Sequence, residues 1–173
     1  MTTQAVESGT DVELLDGRHV RLRRLCANDA QAVLALHQNL TERDRLFRFF
    51  TLHPAHLDEL VRQLTEQGDK QTAIGAFEGG HLIGVASYAV SDDPNAADVA
   101  IAVAHEDHLH GVGTALLKYL AHLARSHGIR QFLADVMAEN YRMLQVLSYF
   151  GWPRRRLDAG SVLHLEIDLP EDV

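Results

Sequence analysis

The chain has 173 residues, 46% of them hydrophobic, one cysteine and a formal net charge of −8. This length and apolar content fit one folded domain, and the acidic balance argues against nucleic acid or an anionic membrane as a partner. A lone Cys26 excludes an intrachain disulfide, and without a signal-peptide pattern or a membrane-length apolar run the sequence predicts a cytoplasmic protein.

The N-terminal region predicts a tail and then a hairpin. Residues 1–10 are interpreted as a flexible tail and residues 11–173 as a single domain. Asp16-Gly17 lies between the alternating segments Val12–Leu15 and Val20–Arg23. An Asp-Gly pair between two such segments is typical of a tight β-turn, so the domain is predicted to open with a β-hairpin.

Three helices are predicted next from their start signals. Asn28 is a candidate N-cap, Thr41 with Asp44 three residues on favours a second start, and Pro54 favours a third. Three histidines in this helical region share no spacing and are interpreted as surface or partly buried structural groups: His37, His53 and His56.

A strand meander follows the helices. Gln71–Glu78 and His81–Val90 are predicted strands joined at Gly79-Gly80, and the turn Ser91–Asn95 leads into a third strand. In that third strand, Val99, Ile101 and Val103 are predicted to face the core. The opposite face carries Asp98, Ala100 and Ala102, so its only reactive group is the Asp98 carboxylate.

A glycine-bearing turn, His108–Thr114, connects this strand to a helix pattern. Gly111 and Gly113 permit positive φ and close backbone approach. The first N–H groups of a helix have no intrahelical partner and carry partial positive charge, which suits a phosphate or pyrophosphate. The turn therefore favours a nucleotide-like cofactor.

The remaining elements complete a β, β, α, α, α, β, β, β, α, β, α, β, β order. The helix after the turn ends at Gly128, and its apolar spacing predicts a buried stripe of Leu116, Leu117, Leu120, Leu123 and Ala124. The strand Gln131–Val136 implies parallel pairing with the strand before the turn. Asn140 is a candidate cap for a last helix ending at Gly151. Two closing segments, Arg154–Asp158 and Val162–Asp168, are predicted to form a hairpin around Ala159-Gly160.

This order, the strand ending near Asn140, and the short helix ending in Gly151-Trp152 resemble the GNAT superfamily of N-acetyltransferases over roughly residues 12–168. That family binds acetyl-CoA through a turn of the form Q/R-x-x-G-x-G/A. The matching residues are His108-Leu109-His110-Gly111-Val112-Gly113, with His108 in place of Gln or Arg. The resemblance implies an α/β (α+β) fold: a mixed, mostly antiparallel central sheet flanked by helices, with a parallel strand-helix-strand cofactor unit.

The resemblance also implies a set of acetyl-CoA contacts. The backbone at Ala102 and Val103 would pair with the pantetheine arm, and N–H groups from Leu109 to Thr114 would cradle the pyrophosphate. Asn140 would face the cofactor arm, cap its helix, or do both. The residues implied to bind the cofactor are Ala102, Val103, His108, Leu109, His110, Gly111, Val112, Gly113, Thr114 and Asn140.

Ala97–Ile101 is similar to a bacterial protein lysine acetyltransferase branch, in which a glutamate at this strand position acts as general base. Asp98 is the corresponding residue here, one methylene shorter, which favours a water-mediated route. The resemblance implies direct attack by an acceptor protein or a small amine in a ternary complex, with no metal. Some members carry a preceding cyclic-nucleotide domain; this chain has no room for one, so no cyclic nucleotide is expected.

A tyrosine acid that many GNAT enzymes use is missing, because Leu147 occupies its position. Tyr149 lies about 200° further round the helix and does not simply replace it. Three other interpretations stay open: a dinucleotide enzyme using Asp135 for the ribose, a metal module, and an inactive acyl-CoA sensor. The metal module would use His105, His108 and His110.

Overall fold

The elements follow one another in the predicted order. The computed structural model describes residues 9–108, 110–157 and 160–173. The strands are β1 (Thr10–Glu13), β2 (His19–Arg24), β3 (Gln71–Glu78), β4 (His81–Val90), β5 (Ala96–Val103), β6 (Gln131–Met137), β7 (Arg154–Arg156) and β8 (Val162–Asp168). The helices are α1 (Ala30–Gln38), α2 (Glu42–Phe49), α3 (Leu57–Thr65), α4 (Val112–Ser126) and α5 (Tyr141–Phe150), with 3₁₀ turns at Ala27–Asp29 and His105–Asp107.

The strands form one sheet in the order β1-β2-β3-β4-β5-β6-β8-β7. Every pairing in it is antiparallel except β5 with β6, which is parallel and is connected through α4. This mixed sheet confirms the predicted fold class and the parallel strand-helix-strand unit. It also shows that the dinucleotide interpretation is wrong, because that fold requires a mostly parallel, doubly wound sheet.

Two clusters of apolar side chains cover the faces of the sheet. On one face α1 and α3 pack against β3 and β4 through residues such as Val33 and Leu64. On the other face α4 packs through the predicted stripe, with Leu116, Leu117 and Leu120 fully buried. The apolar periodicity of the sequence therefore placed α4 correctly. Among the described helices, none is both long and apolar enough to cross a membrane.

Helix starts differ from the predictions in two places. Thr41 does cap α2, its Oγ1 accepting a hydrogen bond from Asp44 N at 3.2 Å. Asn28, however, lies within a 3₁₀ turn whose N-cap is Cys26, because the Asp29 carboxylate accepts the bond from Cys26 N at 2.8 Å. The third helix begins at Leu57, three residues after Pro54.

Three further predictions concern single regions. Residues 1–8 of the predicted tail lie outside the described residues, while Thr10 already pairs with Leu22 in β1. The closing hairpin is present as β7 and β8, but Ala159 in its predicted turn also lies outside the described residues. His37 is 1% exposed, so the expectation of a surface or partly buried group is wrong for it.

Candidate active site

Two neighbouring strands separate and open a cleft. Strand β5 pairs with β6 only from Ala96 to Asp98, yet it stays paired with β4 as far as Val103. Beyond Asp98, the β6-facing edge of β5 therefore has no strand partner within the described chain. A cavity of about 1050 Å³ lies there, lined by both strands and by the starts of α4 and α5.

The hydrogen-bond pattern shows which β5 backbone groups face this cleft. Ser91 N donates to Ala96 O at 2.9 Å, and Ala104 N donates to Ile83 O at 2.9 Å. In an antiparallel ladder the direction alternates by residue, so even-numbered β5 residues direct their N–H and C=O at β4. Val99, Ile101 and Val103 direct theirs to the other side, where the Val99 N–H completes the Asp98–Leu133 pair with β6 and the groups of Ile101 and Val103 face the cleft. A cofactor in the cleft would therefore contact the methyl group of Ala102 and not its N–H or C=O.

The two side-chain faces of β5 are as the alternation predicted, but their burial is not. Val99, Ile101 and Val103 pack against the main core while staying partly exposed. Ala102, on the face opposite the predicted core face, is 5% exposed. The separation from β6 explains the first difference, because one flank of these side chains borders the cavity instead of a strand.

Asp98 is exposed and lies where the two strands part. It is in register with Leu133 of β6 and Ala89 of β4, and it lines the cavity. Partial burial raises the pKa of the Asp98 carboxyl, and the negative charges of Asp135 and Asp92 raise it further. A raised pKa makes a carboxylate a stronger base near neutral pH.

The glycine turn prepares the N-terminus of α4. Gly111 has φ of +89°, where a Cβ would lie 3.3 Å from Leu15 Cγ and the backbone itself disfavours L side chains. The first helical bond runs from Ala115 N to Gly111 O, and no described side chain caps the helix. The N–H groups of Val112, Gly113 and Thr114 therefore lack intrahelical partners, and all three residues line the cavity.

Both ring nitrogens of His108 contact other groups of the protein, and the residue also lines the cavity. Its Nε2 lies 2.9 Å from Val103 O, and its Nδ1 contacts the guanidinium of Arg142. Burial, the largest influence on the pKa of His108, lowers it. A neutral ring that donates from Nε2 and accepts at Nδ1 satisfies both contacts. His108 thus connects the open end of β5 to the start of α5.

The histidines do not gather as the metal interpretation required. His110 Nδ1 lies 3.0 Å from Asp16 Oδ2, whereas His105 and His108 lie near Asp44. Ligand atoms of Asp44, His105 and His108 fall within 4.8 Å of one another, a spacing that a metal ion can bridge. Arg142 already supplies positive charge there, 3.4 Å from Asp44 Oδ1.

Leu109, a predicted cofactor-binding residue, lies outside the described residues.

The start and the body of α5 complete one wall. Asn140 caps the helix as predicted, its Oδ1 accepting from Met143 N at 3.2 Å, and it also lines the cavity. Leu147 is 3% exposed in the core. Tyr149 is 73% exposed and reaches the cavity rim.

The residues of α2 and its C-terminal cap that form part of the wall were not among the predicted site residues. Phe47, Arg48 and Phe50 line the same cavity as Asp98. Arg48 is half-buried, and burial lowers the pKa of its guanidinium to about 10. Its neighbour in sequence, Phe49, lies under it, with Cζ 4.7 Å from the ring centroid. The only sequence signal was an arginine set among phenylalanines, which does not specify a cavity.

Comparison with known proteins gives consistent matches. The model of the acetyltransferase (GNAT) family matches residues 36–152. An acetyltransferase of Pseudomonas aeruginosa is 30% identical over 169 residues, covering 92% of this chain and 90% of its own. The crystal structure of the GNAT domain of S. lividans PAT has a TM-score of 0.85 at 28% identity, covering 93% of this chain and 97% of that one.

A cAMP-binding acyltransferase from Mycobacterium smegmatis also shares the fold. It has a TM-score of 0.66 at 22% identity and covers 96% of this chain. This chain spans only 49% of that protein. The likeness therefore concerns the fold of one half of the mycobacterial enzyme.

Proposed function

Because the chain belongs to the acetyltransferase (GNAT) family, we propose that it moves the acetyl group of acetyl-CoA to a primary amine, preferentially the side chain of a protein lysine. Family membership makes the chain an acyltransferase. The proposal adds the donor, the acceptor class and the residues that act. Similarity to the GNAT domain of S. lividans PAT and the match of Asp98 to the glutamate of the lysine acetyltransferase branch support the protein acceptor.

The observation that carries the proposal is the open edge of β5 leading to an uncapped helix. The cleft-facing Ile101 C=O and Val103 N–H suit the amide groups of a pantetheine arm, which would pair with them as an added strand does. The N–H groups of Val112, Gly113 and Thr114 then suit the pyrophosphate. A strand edge and a helix N-terminus in one cavity match an extended ligand with phosphates at one end.

Asp98 is the proposed base. An ordinary amine with a pKa of ~10.4 is protonated at neutral pH and must lose a proton before it attacks. Asp98 would take that proton through one water molecule, since its carboxylate is exposed and short. The amine nitrogen then forms a bond to the thioester carbonyl carbon, and the carbon–sulfur bond breaks.

Two further groups act on the tetrahedral intermediate and the leaving group. The Ile101 N–H faces the cleft on the side nearer Asp98 and is the candidate donor to the oxyanion, while the Val103 carbonyl is held by His108. Buried Leu147 supplies no acid to the leaving sulfur. A thiol has a pKa of ~8.5, so the thiolate leaves without a dedicated acid and is protonated by solvent.

Acetyl transfer from labelled acetyl-CoA to a panel of lysine peptides and small amines tests this proposal. Asp98→Asn is expected to lower kcat by about 10²- to 10⁴-fold while acetyl-CoA affinity changes little. Asp69→Asn, which removes an exposed carboxylate outside the cavity, is the matched control and should transfer at the wild-type rate. Equal rates in wild type and Asp98→Asn would remove Asp98 as base. Tight acetyl-CoA binding without transfer to any amine would instead indicate a sensor.

A further inference from the structure

An arginine in the wall of the cavity has no anionic partner in the described chain. Arg48 of α2 lines the cavity between Phe47 and Phe50. Within residues 9–108, 110–157 and 160–173, no carboxylate lies within ion-pair distance of its guanidinium. Half-buried charges are costly unless something pairs with them.

The carboxylate that helical spacing would bring to Arg48 contacts other residues instead. Asp44 precedes Arg48 by one helical turn, the spacing at which acidic and basic side chains normally pair. Asp44 instead lies 3.4 Å from Arg142 and 3.5 Å from His108 Nε2. Asp44 therefore does not neutralise Arg48, whose side chain lines the cavity.

The other two arginines of α2 differ from Arg48 in their surroundings. Arg45 donates to the carbonyls of Gln38, Leu40 and Leu52 at 3.0 to 3.4 Å. Arg43 is exposed and lies outside the cavity. Only Arg48 combines partial burial, a place in the cavity wall and no described anionic partner, which is the environment expected of a residue that waits for a charged ligand.

We propose that the acceptor amine carries a carboxylate that pairs with Arg48. This inference rests on the proposed function. The planar guanidinium fork is matched to a carboxylate, with which it forms two parallel hydrogen bonds. The cavity would then hold a zwitterionic acceptor, its amine toward Asp98 and its carboxylate toward Arg48. Either a free amino acid or an acidic residue beside a protein lysine provides that chemistry.

Paired acceptors separate the two sources. One arm compares L-lysine with L-lysinamide, and the other compares capped peptides in which the lysine is flanked by Glu or by Gln. Wild-type enzyme is expected to favour the carboxylate member of at least one pair by about tenfold to a hundredfold in kcat/KM, mainly through KM. The pair that shows the preference identifies the source of the carboxylate.

Variants assign that preference to Arg48. Arg48→Gln should reduce it to about twofold or less, Arg48→Lys should keep part of it, and Arg43→Gln on the same helix should leave it unchanged. Arg48→Lys keeps the charge, so it carries the test if Arg48→Gln does not fold. Transfer without a carboxylate preference, or a preference that survives in Arg48→Gln, would overturn the inference and leave the proposed function standing. No transfer to any amine by wild type would overturn both.

Discussion

The two halves of the sheet differ in how far their polar groups are covered. Strands β3 and β4 are covered on both faces, by α1 and α3 on one side and by α4 on the other, and the buried His37 lies under this cover. At β5 and β6 the strands part, and Asp98, Asp135 and free backbone edges line an open cleft. The first half supplies stability, and the second keeps unsatisfied groups available to a ligand.

The largest stability effect is expected from His37 in the covered half. Its Nδ1 lies 2.7 Å from Val33 O, and burial lowers its pKa from about 6.5 to about 4. Between those pH values the unfolded chain binds a proton that the folded protein excludes, so stability is lost as pH falls. Wild type should lose about 3 kcal/mol more unfolding free energy than His37→Leu between pH 7 and pH 4, measured by urea unfolding. Equal losses would show that His37 is not held neutral by burial.

The next effect concerns the helix start in the open half. A Cβ at Gly113 would meet only Val146 Cγ2 at 3.8 Å, and a carboxylate in the first turn of a helix is favourable. Gly113→Asp should therefore fold normally, yet weaken acetyl-CoA binding by about tenfold to a hundredfold through repulsion of the phosphates. Calorimetric titration measures this.

A matched control separates that local repulsion from the change in net charge. Gly68→Asp adds the same charge at a glycine where a Cβ would meet nothing within 4 Å, and it lies outside the cavity. Its acetyl-CoA affinity should equal that of wild type. Unchanged affinity in Gly113→Asp would place the phosphates elsewhere.

The smallest effect is a stability gain in the open half. The raised pKa of Asp98 means that the folded protein binds its proton more tightly than the unfolded chain, so stability falls as pH rises through that window. Asp98→Asn should therefore be more stable than wild type at pH 7 by a fraction of a kcal/mol, since solvent screens an exposed group. The difference should vanish below about pH 3, where both side chains are neutral. A destabilised Asp98→Asn at pH 7 would contradict this.

The sequence predicted most of the fold because local signals there agree with tertiary packing. The predicted bounds of β3 and β4 equal the observed ones, because Gly79 and Gly80 signalled the turn and both adopt the positive φ that it requires. The buried stripe of α4 followed from helical periodicity. Burial of His37 did not follow, because it depends on how α1 docks under Phe49 and onto the sheet.

The candidate site was predictable where it is built from backbone. The glycine turn and the strand before it are continuous in sequence, so Gly111, Gly113 and Asp98 could be named from the pattern. Arg48 and Arg142 could not, because their places in the cavity depend on contacts between segments far apart in the chain, such as Arg142 with Asp44. Periodicity carries no information about which side chains meet across such distances.

Residue-resolved amide hydrogen exchange with and without acetyl-CoA tests the central claim most directly. The cleft-facing amides of Ile101 and Val103 have no strand partner in the described chain, whereas the Val99 amide completes the Asp98–Leu133 pair and those of Ala100 and Ala102 are directed at β4. Acetyl-CoA is expected to slow exchange at Ile101 and Val103 and at Val112 to Thr114, with little change at Ala100 and Ala102. Binding that protects none of these five amides would contradict the assignment of the cleft to the cofactor.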